Sequence, residues 1–253
     1  MKRVFVQSLM LLVLVVLSVG GYVLWRGRPW RTVVSVNGHL LTSRELDLRA
    51  QTLLDDANRT GSTVFSQLDS HEASLRARRR AAKAWVVKEI LLAEALERGF
   101  SVTSATEKEA LAQMALRLKG RGLTPEQFFQ EGPLPEDLKR RDFQEAVLIN
   151  ELTNHEVRDR ISVSTQEIEA RMSELQKSAH STGRTDVGRM VKPSRTQVLE
   201  ALRAERFQAG FRRLFRSLHG KFEVRSSEFP ELETLEGISP SRPEDEDAGR
   251  TAE

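Results

Sequence analysis

The feature that most constrains this chain is an apolar stretch near its N-terminus. From Val4 to Leu24 it reads VFVQSLMLLVLVVLSVGGYVL, interrupted only by Gln7, Ser8, Ser18 and the Gly20-Gly21 pair. Twenty-one residues at the helical rise span roughly 30 Å, the thickness of a bilayer's hydrocarbon core. Tyr22, Trp25 and Trp30 follow where aromatic rings favour the membrane–water boundary, beside arginines long enough to snorkel. A cleaved signal peptide is the competing reading, with Ser18 and Gly20 as small residues before a cut. Two things favour an uncleaved transmembrane anchor over residues 1–31: apolar character continues through Trp25, and no Ala-x-Ala site is present. Sidedness does not follow from charge, because Lys2 and Arg3 flank one end and Arg26, Arg28 and Arg31 the other.

The formal charge of +3 hides an uneven distribution. Residues 1–31 carry five basic side chains and no acid, whereas residues 228–253 carry nine acids against Arg242 and Arg250. The middle is left only mildly basic, without the concentrated basic face that nucleic-acid binding requires. The absence of cysteine removes disulfides, thiolate metal sites and a cysteine nucleophile together.

Beyond the anchor the periodicity predicts a mainly helical domain with a small β-element. Thr32 to Val36 is β-prone, Asn37-Gly38 is a tight-hairpin pair, and His39-Leu40-Leu41 returns the chain. Thr42-Ser43-Arg44-Glu45 has capping-box form and opens a helix to about Ala57. A central helix is expected from about His71 to Arg98, with Trp85, Ile90, Leu91, Leu92, Ala95 and Leu96 on a broad apolar face, stopped by Gly99. Further helices are expected up to Lys119-Gly120, from Thr124-Pro125, from Glu136 to Arg160, and from the Ser164–Glu167 box to about Gln176. After a polar connection over 178–193, a last helix from Ser194 to His219 precedes a terminal strand at Phe222-Glu223-Val224. The domain is expected over 32–227, and the acidic, Pro- and Ser-containing 228–253 as a disordered tail.

No motif for covalent chemistry stands out. The histidines are scattered, and neither a Gly-rich phosphate loop nor a nucleophile elbow is present, so no catalytic residue, metal or cofactor is assigned. The basic runs Arg76, Arg78, Arg79, Arg80, Lys83 and Arg203, Arg206, Arg212, Arg213, Arg216 read as solvated helix faces. Met114, Phe128, Phe129 and Phe143 are the candidate client-binding apolar surface, because methionine and flat rings suit promiscuous apolar contact; ordinary core is the alternative for each.

Four blocks in order resemble the SurA-like chaperone domain of the parvulin-type foldases of the bacterial envelope. They are Val34-Ser35-Val36-Asn37-Gly38 with Leu41-Thr42 and Glu45-Leu46; Lys88 to Ala95 with Gly99, Val102-Thr103 and Glu107; Leu123 to Phe128; and Arg160 to Ser164 with Glu167-Ile168. Val198 to Val224 is similar to the helix and strand that those proteins place after their isomerase domain. The resemblance implies that this strand pairs with residues 33–36 and closes the domain.

The departure from the family is as informative. Its members usually insert an isomerase domain of roughly 100 residues before the last helix, where this chain has only about residues 178–193. The resemblance therefore implies a peptide-holding body without prolyl isomerase activity, anchored in the bacterial inner membrane and facing the periplasm. Its partners would be unfolded or extended envelope polypeptides. An anchored scaffold for one envelope protein is the alternative function, and an active prolyl isomerase the second.

Overall fold

A computed structural model describes residues 30–181 and 194–234, together with Ile238. The expected membrane anchor, residues 182–193 of the connection and the acidic tail after Ile238 lie outside the described residues. Among the described residues no helix is long and apolar enough to cross a membrane.

The chain opens with strand β1 (Thr32–Val36), which turns at Asn37-Gly38 into β2 (His39–Thr42). Both turn residues have positive φ, 47° and 85°, the geometry that makes Asn-Gly a preferred hairpin pair. Strand β3 (Val224–Ser226) pairs antiparallel with the other edge of β1, giving the order β2-β1-β3. The turn itself grips the returning chain: Asn37 donates its backbone N–H to the Glu223 carbonyl at 3.0 Å, and its side-chain oxygen accepts from the Glu223 N–H at 2.9 Å. The terminal strand thus lies two residues later than expected, with Glu223 committed to the turn rather than to the ladder.

Helix α1 (Ser43–Thr60) starts on Thr42, whose hydroxyl accepts from the Glu45 N–H. Only that half of the box forms, because the Glu45 carboxylate turns instead to Arg49 at 2.9 Å. Helix α2 (Ser70–Glu97) is capped by Asp69 and ends before Gly99, which takes φ +78°. Its inward side runs Ala77, Ala81, Ala82, Trp85, Val86, Ile90, Leu91 and Ala95, and it packs on α1, β1 and β2. Leu96, expected on that face, is 54% exposed. Helices α3 (Ser104–Lys119), α4 (Pro125–Gln130) and α5 (Glu136–Glu156) pack on one another, and α5 also packs on α2.

Helix α5 stops earlier than the sequence predicts. Val157 leaves helical geometry at φ −121°, and Arg158–Arg160 forms a separate 3-10 turn. This turns the β-branched Val157 inward, where it is buried. Helix α6 (Thr165–Ser181) has the reciprocal Ser164–Glu167 box and runs beyond its expected end at Gln176. Helix α7 (Arg195–His219) starts on a Ser194–Gln197 box, packs on α6 and then on α2, and delivers the chain to β3.

The domain does not end at Ser227. Phe229, Leu232 and Ile238 are 3%, 1% and 0% exposed and belong to the core, with Pro230–Glu233 forming a 3-10 turn. Arg78 ion-pairs with Asp47 and with Glu228, the latter at 2.8 Å, and Arg79 reaches Glu231 at 2.9 Å. Part of the expected solvated basic face on α2 is therefore a clamp on the C-terminal segment. A second network ties three helices together: Arg49 meets Asp142 with two hydrogen bonds of 2.8 and 3.0 Å, and Lys88 adds bonds to Asp142 and Glu145. Burial pushes the Asp142 carboxyl upward, but hydrogen bonds and charge from Arg49 and Lys88 outweigh it and hold the group below its ordinary value.

Candidate functional site

Three of the four sequence-selected apolar residues meet. Short helix α4 begins on the Thr124 cap with Pro125 in its first turn and places Phe128 and Phe129 against Phe143 of α5. The rings contact edge to face, with centroids 5.9 Å apart for Phe128–Phe129 and 5.8 Å for Phe129–Phe143. The Arg140 guanidinium lies over the Phe129 ring at 4.6 Å, and Lys139 donates to the carbonyls of Phe128, Phe129 and Glu131, closing the helix end. Phe129 is 2% exposed, whereas Phe128 keeps 37% of its surface free. Met114 is half-buried on α3, outside this ring cluster. The aromatic set is mainly the small core that joins α4 to α5, with Phe128 as its accessible edge.

A concavity lies elsewhere, where α7 crosses the break after α5. It has a volume of about 610 Å³, within the range of ligand-binding clefts. Val157, Ile161, Ala209, Gly210 and Leu214 give it an aliphatic wall, and Arg98, Arg160, Arg206, Arg213, Glu156 and Ser217 its polar groups. Two local features build it. The helix break at Val157 swings Arg160 and Ile161 off the α5 axis. Gly210 then lets α7 come close, since a Cβ there would stand 2.7 Å from a Val157 methyl.

Charge in the cleft is mostly committed. Glu156 receives Arg98 at 2.5 Å and Arg160 at 2.9 Å, and His155 Nδ1 lies 3.1 Å from its carboxylate. Burial raises the Glu156 carboxyl, but the His155 hydrogen bond and the charges of Arg98 and Arg160 bring it below its usual range. Arg98 also binds the buried Glu94 at 2.5 Å, which in turn accepts Lys221 at 2.7 Å. Arg206 pairs with Glu167 across the α6–α7 contact. Arg213 has no acidic partner among the described residues.

Sequence reasoning passed over this cleft by assigning Arg206 and Arg213 to a solvated face. A signal was present: Arg206, Gly210, Arg213, Leu214 and Ser217 recur at helical spacing on one face, with an interior glycine marking close approach. The residues across from them come from Arg98 and from 156–161, and no spacing rule joins those segments. Among the described residues, no group of three or more His, Asp or Glu side chains is placed to hold a metal ion. No protein-family model matches this chain, and no curated protein does either.

Proposed function

We propose that this chain is a membrane-anchored, non-catalytic, chaperone-like domain that reversibly holds extended apolar segments of cell-envelope proteins. The observation that carries the reading is the 610 Å³ cleft of mixed polar and aliphatic lining, formed where α7 closes back over the body of the domain. Support also comes from the pairing of β1 with β3, the closure implied by the resemblance to SurA-like domains. Holding needs no covalent chemistry. Burial of one or two aliphatic side chains contributes about 2–5 kcal/mol, weak enough to let a client go.

Two sequence features complete the proposal. The Val4–Leu24 stretch would fix the chain in the inner membrane with its domain in the periplasm. Since α6 reaches Ser181 and Ser194 caps α7, only residues 182–193 remain where related foldases insert an isomerase domain. Twelve residues are far fewer than a catalytic domain of roughly 100.

The test is aggregation of a urea-unfolded outer-membrane protein after dilution, with the full chain in lipid nanodiscs and empty discs as control. The proposal expects slower aggregation at stoichiometric chain, and an unchanged trace refutes it. Site-specific crosslinking from Ile161 in cells separates it from the scaffold reading: many adducts mark a holder, one dominant adduct a dedicated partner.

A further inference from the structure

We propose that the cleft between α7 and the Val157–Ile161 segment recognises a carboxylate on the bound chain, so that its preferred occupant is an extended segment with an acidic side chain among aliphatic ones. This rests on the client-holding reading and adds the chemistry by which the site selects. Charge complementarity points to it, in a cleft of mixed lining that is aliphatic on one side. Four guanidinium groups line it against one carboxylate, Glu156. Glu156 is saturated by Arg98, Arg160 and His155, and Arg206 is held by Glu167. Arg213 alone among these four arginines lacks an acidic partner among the described residues, and it lies on the α7 face that carries Gly210 and Leu214.

A guanidinium offers a planar fork that matches a carboxylate with two parallel hydrogen bonds, which a neutral amide isostere cannot match in charge. Ile161 and the exposed Ala209 would take the aliphatic neighbours of that carboxylate. The aromatic cluster at α4–α5 plays no part in this selection, because its cations are committed: Arg140 covers Phe129 and pairs with Glu136, and Lys139 is held by the carbonyls of Phe128, Phe129 and Glu131.

The experiment is fluorescence anisotropy on the full chain in nanodiscs. The probes are two labelled decapeptides of valine and leucine with serine spacers, identical except for one central glutamate or glutamine. The expected result is about tenfold tighter binding of the glutamate peptide. That preference should fall to about onefold in Arg213→Gln, while Arg213→Lys keeps part of it. Circular dichroism verifies that the variants fold.

Equal binding of the two peptides by the unaltered chain would overturn carboxylate recognition and leave the holding function standing. A preference that survives Arg213→Gln would equally remove the site from this cleft. A preference seen only after residues 239–253 are deleted would make the chain's own acidic tail the occupant, and would overturn the proposal of a client carboxylate. Failure of both peptides to bind, deleted tail included, would sink the holding reading and this inference with it.

Discussion

Gly210→Ala tests the packing that forms the cleft, because two opposed effects meet at one carbon. In an unobstructed helix interior the replacement stabilises by about 1 kcal/mol, since alanine loses less backbone entropy than glycine. Here the added Cβ would lie 2.7 Å from Val157 Cγ1, well inside contact distance, and Val157 is itself buried against the core. Overpacking of this kind costs about 1–3 kcal/mol. With about 2 kcal/mol for the clash, the net expectation is destabilisation by about 1 kcal/mol, or a thermal midpoint lower by about 3 °C for a domain of this size. Val157→Ala removes the obstructing methyls and on its own costs about 2 kcal/mol of burial and cavity energy. In that background Gly210→Ala should instead raise the midpoint by about 3 °C. The assay is thermal unfolding by circular dichroism for the four members of this double-mutant cycle, with a coupling of about 2 kcal/mol expected. If Gly210→Ala stabilises equally in both backgrounds, α7 does not approach Val157 as described, and the cleft loses its wall.

Three more expectations follow from the core and its ion pairs. A chain ending at Ser227 loses Phe229, Leu232 and Ile238 from the core, about 5 kcal/mol of burial and comparable to a whole domain's stability; it should unfold or resist purification, whereas a chain ending at Ile238 should melt like the full chain. Asp142, Glu94 and Glu156 all titrate below their ordinary values when folded. Such groups contribute stability that is present above their unfolded pKa of about 4 and lost as pH falls through the folded values. Midpoints should therefore drop as pH falls below about 4.5, and Asp142→Asn should cost about 2 kcal/mol at pH 7 while flattening that drop; an identical pH profile would show that the Arg49–Lys88 network carries no linkage. At the aromatic cluster, Phe129→Ala should cost about 3–4 kcal/mol, whereas Phe128→Ser, at the accessible edge, should cost no more than about half of that. Equal losses from the two would mean that Phe128 is core rather than edge.

Local chemistry made much of the fold legible in the sequence. Asn37-Gly38 specifies its hairpin through positive φ, and Thr42, Thr124, Ser164 and Ser194 start helices because a short side-chain oxygen satisfies a free N–H in the first turn. The β-propensity of a valine-rich run and 3.6-residue periodicity likewise marked β1 and the buried face of α2, since each is a property of neighbours in sequence. Tertiary contact decided what periodicity does not encode. Whether Arg78 faces solvent or clamps Glu228 depends on a residue 150 positions away, and the same distance problem hides the burial of Phe229, Leu232 and Ile238 within an acidic, proline-containing tail. The break at Val157 has no proline or glycine to announce it; burial against Gly210 offsets the lost helical turn. The cleft follows the same logic. Its α7 residues share one face and were readable as a set, but their setting against Arg98, Glu156 and Arg160 exists only once three distant segments have packed together.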